Sequence, residues 1–376
     1  MKILMVIDDY FSTTNGMAIS TQRFAKQFRH LGHEVRILST ATRMDKQIDY
    51  PVPQIKPPFF SKLIASQGYI FGQPVDKTIQ QAVQWADIVH LDTPFFLGAR
   101  AGTIAKKYNK TITGTFHLYP ENMTASVPAL DRPFLNSQLM HIFRDWSFKN
   151  CSVIQCPTLK VKERLEKYHF PQKLTVISNG ISNSFLVNQH LCNPNHPFTI
   201  LCIGRYSNAK DQKTLFKAMK LVSSSENMQL ILAGKGPLQE KYEQLAKEVP
   251  GKVIMKYYPP QELQKLTQTA DLVVHCADVE VEGMSCMEAF ASGCVPIIAD
   301  SPLFSTSSYA LTKYNKFPAG DEATLAKRID YWYDHPQQLE KWRQKYINYA
   351  QSLTVQKSAE KVITMMQDAL KANKEP

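Results

Sequence analysis

An α/β protein of two doubly wound, parallel-sheet domains is what this sequence predicts, on three observations. Apolar runs of about four to eight residues alternate with helical patterns from end to end, the mark of repeated strand–helix–strand units. The chain has 376 residues, 44% of them hydrophobic, which suits two cores better than one. Residues 183–197 interleave Asn and Pro and read as a linker between two such units.

The first domain is expected over residues 1–190. Lys2–Ile7 reads as its first strand, followed by a polar loop with Asn15-Gly16. A helix through Ala18–Leu31 ends at Gly32, a residue suited to the left-handed turn after a helix. Glu34–Ser39 is the second strand. Residues 51–75 are rich in Pro and aromatics and carry Lys56, Phe59, Phe60, Lys62, Tyr69 and Phe71. A loop that long inside a compact domain is functional or mobile. Ile88–Leu91 and Thr111–Thr115 are further strands, the second leading into Phe116-His117-Leu118-Tyr119-Pro120-Glu121-Asn122. Val153–Cys156 and Leu174–Ile177 complete the set.

The second domain is expected over 191–354. It opens with the strand Phe198–Ile203 and Gly204-Arg205. Leu230–Ala233, Val253–Lys256, Asp271–His275 and Val295–Ala299 are its other strands, with Gln261–Thr269 helical. The last stretch, Val355–Lys371, has apolar residues at 359, 362, 363, 366, 369 and 370, one face of an amphipathic helix.

The most informative segment is Glu280-Val281-Glu282-Gly283-Met284-Ser285-Cys286-Met287-Glu288, which lies between two of those strands. Open α/β sheets bind ligands beyond the carboxyl ends of their strands. A helix N-terminus approached through a glycine suits a phosphate, and Glu288, further into that helix, suits the paired hydroxyls of a ribose. Arg205 and Lys210 follow a strand directly and can both reach a diphosphate, the one as a fork and the other as a point charge. Gly234-Lys235-Gly236-Pro237 is a glycine turn before a helix. It lacks the third glycine of the dinucleotide fingerprint, so hydride chemistry is not supported. The order of parts suggests a nucleotide-sugar site.

Other chemistry finds less support. The chain has no Asp-x-Asp, and no His joins Glu280 and Glu288 at ligand spacing, so metal binding is not expected. Two carboxylates on one loop and helix do not flank a bond as a glycosidase pair does. His117, just past a strand, is placed to meet a substrate hydroxyl or a developing charge. Glu121 and Asn122 add polar groups to the same loop.

Seven cysteines, without a Cys-x-x-Cys pair, indicate neither zinc nor a disulfide framework, and reduced thiols in the cytoplasm are the expectation. No apolar run reaches the roughly 18 residues of a membrane-spanning helix. The N-terminus, broken by Asp8 and Asp9, reads as a strand and not a signal peptide. Net charge is +11, with 22 basic against 13 acidic residues in 1–190 and 22 against 20 in 191–376. A basic first half implies an anionic partner. A nucleic acid is not expected, since no helix-turn-helix, zinc or RNP-type motif is present.

Together these parts resemble the GT-B glycosyltransferases of family GT4 over nearly the whole chain. The resemblance is carried by Asn15-Gly16, Gly32-His33-Glu34-Val35, Phe116-His117, Ser178-Asn179-Gly180-Ile181, Gly204-Arg205 with Lys210, Gly234-Lys235-Gly236-Pro237, and Glu280 with Glu288. Within the family, Phe116-His117, Glu121-Asn122, the segment Glu282–Glu288 and Asp300-Ser301-Pro302 with Tyr309-Ala310-Leu311 are most similar to bacterial α-glucosyl-diacylglycerol synthases. The resemblance implies two Rossmann-like domains facing a central cleft, with the final helix, 355–376, packing back on the first. It implies retaining, metal-independent transfer of a hexose from a nucleoside-diphosphate sugar, UDP-glucose, with no cofactor. Arg205 and Lys210 would hold the diphosphate, Glu288 the ribose, and Glu280 the sugar near its anomeric centre. Gly234 and the amides around Gly283, Met284 and Ser285 would complete the donor site. Asn15, Gly16, His117, Glu121 and Asn122 would line the acceptor side. A basic acceptor domain with aromatics beside lysines suits a lipid acceptor at the anionic inner face of the cell membrane. A soluble or polymer acceptor is the alternative.

Overall fold

The computed structural model describes residues 1–13, 15–41, 48–55, 70–125, 130–186 and 197–374. The chain divides into two compact units, Met1–Asn179 with Val355–Pro376, and Gly180–Thr354. The division falls at Asn179, upstream of the boundary expected at 190.

In the first unit seven parallel strands are ordered β3-β2-β1-β4-β5-β6-β7. They are β1 (Lys2–Val6), β2 (Glu34–Thr40), β3 (Tyr50–Val52), β4 (Ile88–Leu91), β5 (Thr111–Thr115), β6 (Val153–Cys156) and β7 (Lys173–Val176). Strands β1, β4 and β6 are buried almost throughout and accordingly read as largely apolar runs, while β5, Thr111-Ile112-Thr113-Gly114-Thr115, is equally buried with three threonines in it. The helix Gly16–His30 lies against the sheet through Phe24, Ala25 and Phe28. Asn15 caps it, its side chain accepting from the Met17 amide at 3.0 Å. Gly32, at φ +82°, ends it as the glycine pattern predicts. The helix Val355–Ala372 buries Ala359, Val362, Ile363, Met366 and Ala369 in the same core as Ile3, Met5 and Phe28. Each large side chain there is worth roughly 1.5–3 kcal/mol of burial, which holds the end of the chain to the first unit.

In the second unit six parallel strands are ordered β10-β9-β8-β11-β12-β13. They are β8 (Phe198–Ile203), β9 (Met228–Ala233), β10 (Lys252–Lys256), β11 (Leu272–His275), β12 (Val295–Asp300) and β13 (Lys316–Pro318). The short strands β3 and β13 went unread in the sequence, each being three residues long and containing a proline. Ile181 closes this unit by donating to the Leu353 carbonyl at 2.7 Å. Most of the expected linker, and Lys56, Phe59, Phe60, Lys62 and Tyr69 of the aromatic loop, lie outside the described residues.

Candidate active site

Sheet order reverses between β8 and β11 in the second unit, and loops from both sides of that point converge. The loop after β8 carries Arg205 and Lys210, both half-buried. It turns through a short 3-10 helix, Asn208–Lys210, and a left-handed Asp211 at φ +41°. Gln212 Nε2 fastens it by donating to the Arg205 carbonyl at 2.9 Å. The Asp278 amide donates to the Ala209 carbonyl at 3.1 Å, tying this loop to the one after β11.

Lys210 Nζ is bonded to Glu280 Oε2, and His275 Nε2 stands 3.5 Å from the same oxygen. Burial acts to raise the Glu280 pKa, but the Lys210 ammonium and the His275 ring outweigh it and hold it at about 2. The carboxylate is therefore ionised across the neutral range. Burial pushes His275 down, against the pull of Glu280, so this ring is neutral. His275 is stacked on Phe304, with centroids 5.1 Å apart.

The backbone of Glu280 is pinned as well. Its amide donates to the Leu303 carbonyl and its carbonyl accepts from the Ser305 amide, each at 3.0 Å. The segment after β12 thus has a role that its sequence did not disclose. Thr306 Oγ1 accepts from the Gly283 amide at 2.8 Å, and the Tyr309 hydroxyl donates to the buried carboxylate of Glu282. Gly283 has no room for a side chain, because a Cβ would stand 2.7 Å from Thr306 Oγ1. From Gly283 the helix Met284–Ala291 begins, with Glu288 half-buried one turn in. The Met284 amide donates to the Glu282 carbonyl at 3.0 Å, so both the Gly283 and Met284 amides are engaged within the protein.

Gly234 and Gly236 are required by close approach. A Cβ on Gly234 would overlap the Gly204 carbonyl, and one on Gly236 would lie 2.6 Å from the Tyr206 nitrogen. The turn after β9 therefore lies directly on the loop that carries Arg205.

The first unit has its own polar cluster where its sheet order reverses, between β1 and β4. Asp8 follows β1, His90 lies in β4, Asp92 directly follows it, and His117 follows β5. All four are buried. Asp8 accepts from the Gly72 amide at 2.7 Å and the Thr93 hydroxyl at 2.5 Å. Burial nonetheless pushes its pKa up to about 6. His117 Nε2 lies 3.5 Å from Asp92 Oδ1.

Of the expected site residues, Lys210 and Glu280 touch, and Arg205, Gly234, Gly283 and Glu288 stand on the loops gathered around them. Their pairing was not foreseen, since separate roles had been assigned to the two. Glu121 and Asn122 are engaged elsewhere. Glu121 accepts from Arg164 at 2.6 Å, and Asn122 Oδ1 accepts from the Tyr119 amide at 3.1 Å as a cap for Pro120–Thr124. Gly16 is exposed at the start of the helix capped by Asn15. Sequence reasoning missed Asp8, His90, Asp92 and His275. The signal was present: each is a polar residue at the carboxyl end of an apolar strand. Among the described residues no group of three or more His, Cys, Asp or Glu side chains is placed to hold a metal ion. No helix among them is long and apolar enough to cross a membrane.

Comparison with known proteins agrees with this architecture. Residues 14–185 match the model for Glycosyltransferase Family 4, and residues 188–353 match that for Glycosyl transferases group 1. Alpha-monoglucosyldiacylglycerol synthase of Streptococcus pneumoniae is 26% identical over 325 residues, which cover 80% of this chain and 71% of that protein. Its namesake from Acholeplasma laidlawii is 23% identical over 321 residues, covering 79% and 80%. Among solved structures, sucrose-phosphate synthase from Thermosynechococcus elongatus matches with a TM-score of 0.77 at 15% identity, covering 99% of both chains. Anabaena Alr3699/HepE, solved in complex with UDP-glucose, matches at 0.73 and 17% identity, over 98% of this chain and 100% of that one. With both halves of the chain matched and both sheets of the expected kind, the chain belongs to the family-4 glycosyltransferases of GT-B fold.

Proposed function

We propose that this glycosyltransferase moves glucose from UDP-glucose to a lipid acceptor such as diacylglycerol, retaining the anomeric configuration and using no metal ion. The observation that carries the reading is the Lys210–Glu280 pair, held beside the Arg205 loop where the second sheet reverses. An ammonium has three donors, so Lys210 can keep Glu280 and still bind a phosphate oxygen. Arg205 and Lys210 together supply the positive charge that a departing diphosphate needs. Glu280, ionised and fixed through its backbone, supplies a negative charge for the cationic character that develops at the anomeric carbon. Glu288 takes the ribose hydroxyls, and the Ser285 amide, next along the first turn, takes a phosphate oxygen. His117 contacts a substrate hydroxyl from the first unit.

Two features support a lipid acceptor. The curated relatives from Streptococcus pneumoniae and Acholeplasma laidlawii are both alpha-monoglucosyldiacylglycerol synthases. The first unit also carries +10 of the +11 net charge. Among the described residues it holds ten of the thirteen exposed large apolar side chains, including Phe96, Phe134, Ile142 and Trp146. Such a surface suits peripheral attachment to an anionic leaflet on the cytoplasmic side.

The test is a transfer screen, with UDP-glucose, UDP-galactose and UDP-N-acetylglucosamine each incubated with a total lipid extract. The expected product is a glucosylated diacylglycerol, α-linked by proton NMR. A β-linkage would overturn the retaining mechanism. Transfer only to water-soluble acceptors would overturn the lipid assignment.

A further inference from the structure

Asp92 directly follows β4, with its amide donating to the Val6 carbonyl at 3.0 Å. Its side chain is buried, yet among the described residues neither carboxylate oxygen meets a hydrogen-bond partner. A buried carboxylate left in that state is strongly disfavoured unless a counter-charge or a donor answers it. Two imidazoles lie within reach of Oδ1: His117 Nε2 at 3.5 Å and His90 Nε2 at 3.8 Å.

Hydrogen-bond accounting separates the two rings. Gln155 Nε2 donates to the Ile177 carbonyl at 2.9 Å, which fixes the amide and makes its Oε1 an acceptor. The Thr115 hydroxyl donates to that oxygen at 2.8 Å, so its proton is spent. Thr115 Oγ1 must then accept from His90 Nε2–H, 2.9 Å away. Burial holds the His90 pKa down, and in the neutral ring Nδ1 then accepts from the Thr113 hydroxyl at 2.8 Å, across the register pair that joins β4 to β5. Both nitrogens of His90 are committed. His117 is not committed. Its Nε2 is buried, has no hydrogen-bond partner among the described residues, and has Asp92 beside it.

We propose that Asp92 is a positioning residue for His117, keeping the ring proton on Nε2 and leaving Nδ1 as the acceptor for a substrate hydroxyl. Asp92 touches no substrate and acts only through that ring. The inference deepens the functional reading above and rests on His117 meeting substrate there. A carboxylate can only accept, so it selects one tautomer of the histidine it faces. His90, held by Thr113 and Thr115, has no proton left for Asp92.

Histidine-selective 15N labelling of the full chain, with His117→Gln to assign the resonance, reads the tautomer directly. The expected wild-type ring is protonated at Nε2. In Asp92→Asn the amide can donate to Nε2, and the proton should move to Nδ1. Turnover of UDP-glucose by that variant should fall about 10–100-fold in kcat, with the donor KM within about threefold. Asp92→Glu, which keeps the acceptor, should keep the Nε2–H ring and recover part of the rate. A ring that stays protonated at Nε2 in Asp92→Asn, or a kcat within about twofold of wild type, would overturn the assignment. If Asp92→Asn does not fold, the wild-type spectrum decides, since a ring protonated at Nδ1 and bare at Nε2 would overturn it too. Wild-type inactivity toward every donor would sink the functional reading, while the tautomers of the wild type and of Asp92→Asn still decide the role of Asp92.

Discussion

In both units the sheet order reverses beside the first strand, between β1 and β4 and between β8 and β11, and in both the polar side chains gather there. What gathers differs. The second unit places Lys210 and Glu280 in contact, with side chains 26% and 18% exposed. The first places Asp8, His90, Asp92 and His117 together and buries all four. An accessible ion pair can exchange partners with a charged ligand at small cost. A buried set of histidines and carboxylates cannot do so, and serves instead to hold a ring or a proton in place. The same topology thus gathers an accessible ion pair in one unit and a buried polar cluster in the other. Surface charge divides in parallel, with +10 on the first unit and +1 on the second.

The contrast breaks most readily at Lys210. Lys210→Ala should lower kcat/KM by about 10²–10³-fold, the usual loss when a donor aimed at developing charge is removed. Arg205→Ala should cost at least about tens-fold, on the scale of 2 kcal/mol. Steady-state kinetics with UDP-glucose checks both, and near-wild-type rates in the two variants would remove the diphosphate assignment.

The buried cluster predicts a stability effect. Asp8 is held at about 6 in the folded state against an ordinary 3.8, so the folded protein binds its proton more tightly than the unfolded chain does. Stability from this group is full below pH 3.8 and is lost as pH rises through 6. The loss amounts to about 3 kcal/mol at most. Urea unfolding of wild type and Asp8→Asn between pH 4 and 7 measures it, and the slope should flatten in the variant. Glu280 has the opposite sign. Its folded value of about 2 lies below the ordinary 4.5, so its contribution is present above 4.5 and lost as pH falls towards 2.

Smaller effects sharpen the picture. Glu288→Ala should raise the donor KM about ten-fold with little change in kcat, the result of losing ribose hydrogen bonds to a charged group. If Arg205 and Lys210 take the charge a metal would otherwise carry, as proposed, excess EDTA should leave the rate unchanged. Rescue of an EDTA-treated enzyme by manganese or magnesium would contradict that.

Much of this was legible beforehand, and the reasons are local. Strands β1, β4, β8 and β11 are buried, largely apolar runs, so their sequences announce them. Lys210, Glu280 and Glu288 stood out because charge next to such runs is costly without a use. Gly234 was visible as a turn glycine, but its closeness to the Gly204 carbonyl was not. The Lys210–Glu280 bond joins residues 70 positions apart, and no local pattern encodes it. Asp92 and His117 came together through β4 and β5 pairing, a register that periodicity alone does not fix. The bond of Glu121 to Arg164, 43 residues on, was hidden for the same reason.

The most direct test of the central claim is calorimetric titration of UDP, which lacks the sugar, into the full-length protein and three variants. The account predicts that Lys210→Ala and Glu288→Ala weaken UDP binding by about ten-fold or more, while His117→Ala binds it like wild type. Loss of UDP binding in His117→Ala, with Lys210→Ala and Glu288→Ala unaffected, would contradict the assignment of the donor to the second unit.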